Sequence, residues 1–175
     1  MPLVKEINWN GYRMRSKIEA KWALFFENIS VEYFYEPDTI ALERADGKIT
    51  NYLPDYFLPE IGCYIEIKLD KCPTEQECSK CYMLAVQTGK DVFLFYEELG
   101  KKNMNGYKYY ATTGAFLPQM RWCQCPRCSA FGITHMGLVA ELPCGCCKND
   151  GDITNSESYA LKEAVKRVRS ERFGA

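Results

Sequence analysis

A turn between two short apolar segments constrains the fold of this 175-residue chain more than any other feature. Segment 55–58 precedes residues 59–62, which contain proline and glycine, and every second residue of segment 63–69 is apolar. Alternation with a period of two is typical of a β-strand, so the two segments predict a hairpin. If the hairpin is symmetric about its turn, Asp55 lies directly opposite Glu66.

Two carboxylates paired in this way, with Cβ atoms about 5 Å apart, repel each other unless a cation lies between them. Lys68 shares the face of Glu66, two residues further along the strand. Hard oxygen ligands at this spacing favour Mg²⁺ or Mn²⁺, which takes one or two carboxylates together with water and substrate phosphate. Lys68 is then placed to orient an attacking water or to stabilise charge on the phosphate. The Ile67 carbonyl and the Glu19 carboxylate, on a preceding helix, are further candidate metal ligands.

The remaining patterns predict an α/β (α+β) fold, a mixed central sheet flanked by helices. Apolar residues make up 47% of the chain, enough to form a core, which excludes a disordered chain. Residues 16–28 have apolar side chains at helical spacing after the N-cap candidate Ser16. Residues 74–88 predict a second helix, with Thr74 as its cap and Gly89 just past its end. Cys81, Tyr82 and Ala85 form its predicted buried side, so we expect Cys78 and Cys81 to serve core packing rather than metal binding. Further strands are predicted over residues 31–35, 40–43, 49–53, 92–96 and 107–111.

Pro54-Asp55, followed by Glu66-Ile67-Lys68 on the next strand, resembles the signature of the PD-(D/E)XK nuclease superfamily. Glu19 on the preceding helix resembles the acidic residue that this family carries on its first helix. The resemblance covers roughly residues 13–96 and extends in overall architecture to small phage-encoded members. It implies a restriction-endonuclease-like fold and metal-dependent hydrolysis of phosphodiester bonds. The Gln and Tyr of the exonuclease-like branches have no match at their spacing here, which argues against processive exonuclease action.

Six of the ten cysteines lie in the C-terminal half: Cys123, Cys125, Cys128, Cys144, Cys146 and Cys147. Clustered cysteines in a reducing compartment are typical of metal ligation rather than of disulfides. Cys125, Cys128, Cys144 and Cys146 have the spacing of a zinc ribbon and predict one structural Zn²⁺. Cys147 is the alternative to Cys146, and His135 is a weaker candidate. The resemblance disfavours an iron–sulfur cluster, because the family's cluster-bearing nucleases use a cysteine upstream of the nuclease core.

The formal net charge of −1 conceals two basic stretches. A basic surface is what a protein needs locally to contact phosphates, so these stretches are candidates for holding a DNA backbone. The alternative is that each is a solvated helix face. A C-terminal helix is predicted over residues 156–173. The candidates for DNA contact are Arg13, Arg15, Lys17, Lys162, Lys166 and Arg169.

Together these patterns predict a nuclease core over residues 1–118, a zinc ribbon over 119–150 and a C-terminal helix over 151–175. The expected function is that of a metal-dependent DNA endonuclease, with RNA as a weaker substrate candidate. The alternative is an accessory protein that binds DNA or a host protein without cleaving. A homodimer and a host or phage protein are candidate partners. No apolar run is long enough to span a membrane, and no signal peptide is recognised, so we expect a cytoplasmic location, that of the host cell if the protein is phage-encoded.

Overall fold

The computed structural model describes residues 6–68, 73–96, 99, 106–135, 139–144 and 157–173. Within these residues the fold is mixed α+β. The helices are α1 (Lys17–Asn28), α2 (Glu75–Thr88) and α3 (Tyr159–Ser170). The strands are β1 (Ile7–Trp9), β2 (Tyr12–Met14), β3 (Phe34–Tyr35), β4 (Ile40–Glu43), β5 (Ile49–Tyr52), β6 (Tyr56–Leu58), β7 (Cys63–Ile67), β8 (Val92–Phe95), β9 (Gly106–Tyr109), β10 (Phe116–Gln124), β11 (Phe131–His135) and β12 (Val139–Glu141).

A mixed sheet forms the centre of the fold, as predicted. In the described part of the chain it has eight strands in the order β12-β11-β10-β9-β8-β7-β6-β3. Strands β7 and β8 are parallel and are connected through α2, whereas the other paired neighbours are antiparallel. Two separate hairpins, β1–β2 and β4–β5, lie outside this sheet. The second is formed by the strands predicted over residues 40–43 and 49–53.

Both faces of the sheet are covered, and strand β8 separates the two cores. Phe93 and Phe95 belong to the core that includes α1 and α3, where the Phe95 ring centroid lies 5.0 Å from that of Trp22. Leu94 belongs to the opposite core, where it is grouped with Leu84 of α2 and with the β4–β5 hairpin. Because consecutive residues of β8 point into different cores, the whole strand is buried, as is typical of a central strand in a covered sheet.

Side-chain caps fix the starts of the helices. Ser16 accepts a hydrogen bond from the Glu19 amide at the start of α1, and Thr74 forms a capping box with Glu77 at the start of α2. Such a cap contributes about 1 kcal/mol. Helix α2 ends at Gly89, whose φ of 67° is the left-handed conformation that favours glycine. These caps confirm the helices predicted over residues 16–28 and 74–88. None of the described helices is long and apolar enough to cross a membrane.

Three details differ from the sequence-based expectations. The strand expected over residues 31–35 is only Phe34–Tyr35, because the Val31 amide bonds to the Phe26 carbonyl and prolongs the end of α1. Tyr82, expected on the buried side of α2, is 46% exposed, and its ring packs against Gly114. Residue 118, the predicted end of the nuclease core, lies inside β10. That strand pairs with both β9 and β11, so the main sheet continues into the cysteine-rich segment.

Candidate functional site

The hairpin β6–β7 has the predicted register and brings Asp55 to Glu66. Its paired residues are Tyr56 with Ile65, Phe57 with Tyr64 and Leu58 with Cys63. Asp55 lies one residue before β6, where its amide donates a 3.2 Å hydrogen bond to Glu66 Oε1. The Ile67 amide in turn donates to Asp55 Oδ2 at 2.8 Å. The two carboxylates are therefore fixed against each other by backbone groups rather than by flexible side chains.

Both carboxylates are buried, which the alternation along segment 63–69 did not indicate. Asp55 is 5% exposed and Glu66 only 1% exposed, because α2 and the β4–β5 hairpin cover the face of β7 on which Glu66 lies. An ionised carboxylate is costly to bury without partners. Burial and the neighbouring Glu66 raise the pKa of Asp55 well above its usual range, while Lys68 and the Ile67 amide act in the opposite direction.

Lys68 supplies the first cation of the site. Its Nζ lies 3.3 Å from Glu66 Oε2 and 3.9 Å from Asp55 Oδ2. Burial alone would lower the pKa of this amine, but Asp55 and Glu66 outweigh burial and raise it. The Lys68 amide bonds to the Phe95 carbonyl at 2.8 Å and so continues the pairing of β7 with β8 by one residue. Lys68 is therefore a protonated donor held between two acidic side chains.

Arg15 supplies a second cation from the other side of Asp55. Its Nη2 lies 3.2 Å from Asp55 Oδ1, the oxygen opposite the one that accepts the Ile67 amide. The Arg15 Nε forms an ion pair with Glu36, and the Glu36 amide donates a 3.0 Å hydrogen bond to the Asp55 carbonyl. Lys68 and Arg15 thus relieve the repulsion between the acidic groups that the sequence predicted. Glu36 was not singled out in the sequence, since its approach to Asp55 depends on the pairing of β3 with β6.

The carboxylate of Glu19 lies in the first turn of α1 and is held by three hydrogen bonds. Its Oε2 accepts from the Arg15 amide at 2.9 Å and from the Tyr35 hydroxyl at 2.6 Å. Its Oε1 accepts from the Ser16 hydroxyl at 2.8 Å. Glu19 is near enough to contribute to the raised pKa of Asp55. The structure therefore brings Glu19, Asp55, Glu66, Ile67 and Lys68 to one place.

Tyr52 and Cys81 lie behind Glu66, on the side of α2. Burial, and then the charge of Glu66, raise the pKa of the Tyr52 hydroxyl. The same two causes raise the pKa of the Cys81 thiol, which is part of the core of α2. Both groups are therefore neutral, and the sequence did not indicate that Tyr52 lies close to Glu66.

A second cluster of ligating atoms lies at the cysteine-rich segment. The Sγ atoms of Cys125, Cys128 and Cys144 all lie within 4.8 Å of one another and could hold a metal ion. In the part of the chain that the structure describes, this is the one group of three such residues. The carboxylates of Glu19 and Asp55 do not complete a comparable group with Glu66.

The turn after β10 shapes this cysteine group. The Arg127 and Cys128 amides each point at Cys125 Sγ at 3.4 Å. Backbone bonds from Cys125 to Ala130 and from Ser129 to Cys125 close the turn. Hydrogen bonds to sulfur favour the thiolate over the thiol, and the thiolate is the form that binds metals.

Of the remaining cysteines, Cys72, Cys146 and Cys147 lie outside the described residues, and Cys63, Cys78, Cys81 and Cys123 are buried or partly buried. Cys146 is the predicted fourth ligand, and Cys147 is its alternative. Cys123 is buried in β10, opposite Gly132. Cys81 is buried in the core of α2 and Cys78 packs against it, which confirms that this pair serves packing.

The basic residues proposed for DNA contact occupy two exposed places. Arg13 bonds to Glu6 at 2.6 Å, and Lys17 lies exposed at the start of α1. On α3, the buried Leu161 and Val168 dock the helix while the basic side chains face outward. The exposed residues of that face are Lys162, Lys166 and Arg169. Lys162 forms an ion pair with Glu157, and Lys166 forms one with Glu163.

Comparison of the chain with protein-family models, with curated proteins and with solved structures found no match. The resemblance to the PD-(D/E)XK signature therefore depends on Pro54-Asp55, on Glu66-Ile67-Lys68 and on the upstream Glu19. Function has to be inferred from the chemistry of two separate sites, the carboxylate site and the cysteine group.

Proposed function

We propose that this protein is a divalent-metal-dependent DNA endonuclease of the PD-(D/E)XK type, with a restriction-endonuclease-like fold. The observation that carries the proposal is the convergence of two buried carboxylates, Asp55 and Glu66, on the Lys68 amine. Two carboxylates buried in one hairpin lower the stability of the fold, so their presence indicates a role other than stability. An acidic group whose pKa is strongly raised, like that of Asp55, beside a lysine is typical of catalytic sites.

The donor set fits Mg²⁺ or Mn²⁺. Asp55 Oδ2 accepts a backbone amide, which orients Oδ1 for a further ligand, and Glu66 offers a second hard oxygen. The Ile67 carbonyl is the third candidate ligand, and Glu19 is a fourth, acting directly or through water. Mg²⁺ in proteins uses one or two carboxylates and keeps several waters, so these few ligands suffice. When bound, the ion would lower the pKa of a water molecule and draw charge from the phosphate.

Residues of the chain supply the remaining chemistry. Lys68 stays protonated between Asp55 and Glu66, so it can donate a hydrogen bond to a phosphate oxygen or hold the attacking water. The Asp55 amide holds the Glu66 carboxylate in place. Glu19 is held by Tyr35 and by the Arg15 amide, so its position is fixed before substrate arrives.

We further propose that the cysteine group binds one structural Zn²⁺ through Cys125, Cys128, Cys144 and a fourth thiolate, Cys146 or Cys147. Four thiolates in a tetrahedral arrangement are the usual structural zinc site. The amides that point at Cys125 Sγ support a thiolate there. Because this group follows a strand of the main sheet, the metal would stabilise the structure and take no part in cleavage.

DNA is the proposed substrate, and the exposed basic residues of α3 and of the segment around Arg13 and Lys17 are its proposed backbone contacts. A homodimer would allow both strands of a duplex to be cut, one by each active site. The proposed location is the cytoplasm, that of a host cell if the protein is phage-encoded.

A non-cleaving accessory role is the second candidate, and one observation favours it. Lys68 and Arg15 already balance the charge of Asp55 and Glu66, so the network can persist without a metal ion. In that role the fold would bind DNA or a host or phage protein through its basic surfaces.

A cleavage panel decides between the two functions. Labelled duplex, nicked, branched and single-stranded DNA, and RNA, would be incubated with Mg²⁺, with Mn²⁺ or with chelator. We expect metal-dependent cleavage of at least one DNA form, loss of cleavage in Lys68→Ala, and unchanged cleavage in the matched control Lys48→Ala, which alters an exposed lysine of the β4–β5 turn. Binding of DNA without cleavage by the wild-type protein in either metal would favour the accessory role.

A further inference from the structure

The Arg15 guanidinium contacts Asp55 Oδ1, the carboxylate oxygen that accepts no backbone hydrogen bond. Asp55 Oδ2 is taken by the Ile67 amide, whereas Oδ1 faces Arg15 Nη2 at 3.2 Å. A metal cation that binds Asp55 Oδ1 would have to take the position of the Arg15 guanidinium. Yet the Arg15 side chain is 52% exposed, so its guanidinium also faces the solvent from which a substrate would enter.

Glu36 gives the same guanidinium a second anchor that does not depend on Asp55. Arg15 Nε pairs with Glu36, while a different nitrogen, Nη2, reaches Asp55. The Glu36 amide bonds to the Asp55 carbonyl, and Glu36 has a φ of 45°, a conformation that is uncommon for residues other than glycine. Strained backbone of this kind persists where the surrounding structure enforces it, often beside functional sites.

We propose that Arg15 binds the phosphate undergoing cleavage and that Glu36 is the residue that positions it. This inference rests on the proposed nuclease function. Before a divalent cation is bound, Nη2 pairs with Asp55 Oδ1. A divalent cation held by Asp55 would displace Nη2, and the Nε pair with Glu36 would keep the guanidinium at the edge of the site.

The chemistry of arginine suits this role. A guanidinium has five N–H donors, and the ion pairs with Glu36 and Asp55 each engage one of its nitrogens. Its planar fork matches the oxygens of a phosphate, and it remains protonated beside acidic groups. Arg15 lies just before α1, and its amide donates to the Glu19 carboxylate and to the Tyr35 hydroxyl, which fixes its backbone. A fixed backbone and an anchored guanidinium together place the remaining donors beside Asp55.

Metal binding without DNA tests the competition between Arg15 and the cation. Mn²⁺ would be titrated into each protein and its free form followed by electron paramagnetic resonance. Arg15→Ala should bind Mn²⁺ several-fold more tightly than wild type, because a competing cation is gone. Glu36→Gln should bind it more weakly, because Arg15 then relies on Asp55 alone. Lys48→Ala removes a distant exposed cation and should match wild type.

Single-turnover cleavage at saturating Mn²⁺ tests the contact with phosphate. Arg15→Ala should cleave on the order of 100-fold more slowly, the usual effect of removing one donor to the transition state. Glu36→Gln should cleave about tenfold more slowly, as expected for a residue that orients another. Adding Glu36→Gln to Arg15→Ala should have little further effect, since both act through one guanidinium. Arg15→Lys should keep the Mn²⁺ affinity of wild type and still cleave slowly, which separates the fork geometry from the charge.

The outcomes separate this inference from the nuclease function itself. If wild type cleaves DNA, Lys68→Ala does not, and Arg15→Ala cleaves like wild type, the role of Arg15 is wrong and the nuclease function stands. If Arg15→Ala and Glu36→Gln shift the Mn²⁺ affinity in the same direction, Arg15 does not compete with the cation for Asp55 as proposed. If wild type cleaves no nucleic acid with Mg²⁺ or Mn²⁺, the proposed function and the phosphate contact fail together. Circular dichroism of each variant checks that the fold is retained, and Arg15→Lys replaces Arg15→Ala if the latter does not fold.

Discussion

The Tyr56 hydroxyl donates a 2.6 Å hydrogen bond to the main-chain carbonyl of Glu19, so the first turn of α1 is tied directly to β6. Tyr56 follows Asp55 in sequence, and its ring is fully buried. One side chain therefore sets the distance between the strand that follows Asp55 and the helix that carries Glu19. The acidic residues of the site are held in register by this bond as well as by the β6–β7 hairpin.

Replacing Tyr56 by phenylalanine should separate positioning from folding. We expect Tyr56→Phe to lower the free energy of unfolding by about 1 kcal/mol, the usual net value of one hydrogen bond. Cleavage should fall by a larger factor than this destabilisation implies, since α1 is then free to shift relative to Asp55. Urea unfolding and single-turnover cleavage measure the two effects. A variant that is destabilised but cleaves at the wild-type rate would show that the bond serves stability alone.

Removing the charge of Asp55 should abolish cleavage and leave the fold intact. Asp55→Asn keeps the size of the side chain but takes away a metal ligand, and it also breaks the ion pairs of Asp55 with Arg15 and Lys68. Because those two cations already offset the repulsion between Asp55 and Glu66, we expect the free energy of unfolding without added metal to fall. Mg²⁺ should raise the melting temperature of wild type and leave that of Asp55→Asn unchanged. Cleavage by Asp55→Asn at the wild-type rate would contradict the assignment of the site.

The cysteine group should hold one tightly bound zinc per chain. Metal binding contributes to folding free energy at such sites, so Cys125→Ser should lose the zinc and loosen the turn after β10 before it affects the carboxylate site. Cys78→Ser is the matched control, because Cys78 packs against the core of α2 and lies outside the metal group. Elemental analysis that finds no zinc, or iron with inorganic sulfide, would contradict this prediction. Hydrogen exchange of residues 116–135 would report the loosening.

The basic face of α3 should contribute to DNA binding through phosphates. Changing Lys162, Lys166 and Arg169 to glutamine should weaken binding to every DNA sequence alike. The slope of the logarithm of the binding constant against the logarithm of the salt concentration should also become shallower, by about one unit for each phosphate that is no longer neutralised. Binding isotherms at several salt concentrations, in Ca²⁺ to prevent cleavage, measure both quantities. Arg44→Gln with Lys48→Gln, two exposed cations of the β4–β5 turn, is the control. An unchanged slope would move the DNA contact to the segment around Arg13, Arg15 and Lys17.

Local signals in the sequence were sufficient for the hairpin that carries the carboxylates. The turn at residues 59–62 and the alternation after it determine which residues of β6 and β7 face each other, so the neighbours Asp55 and Glu66 were predictable. Helices α1 and α2 were predictable for the same reason, because their caps Ser16 and Thr74 act on amides only a few residues away.

Contacts that depend on the assembled sheet were not predictable. Alternation gives the two faces of β7 but does not tell whether a helix covers the second one, so the burial of Glu66 was missed. Arg15 was recognised only as a basic residue, since nothing in its neighbourhood indicates that it reaches Asp55, 40 residues away. Glu36 carries no periodic signal at all, and it reaches the site only because β3 pairs with β6.

The position of the cysteine group within the sheet has a consequence for association between molecules. Cys125 follows β10, while Cys144 lies just beyond β12, the strand at one edge of the sheet that the structure describes. A metal bound by both cysteines would link the ends of β10 and β12 across β11 and keep β12 in place. If the metal were lost, β12 could detach and expose the amides and carbonyls of β11, to which strands of other molecules readily pair. Chelation would then be seen first as self-association of the protein, before any loss of its helices.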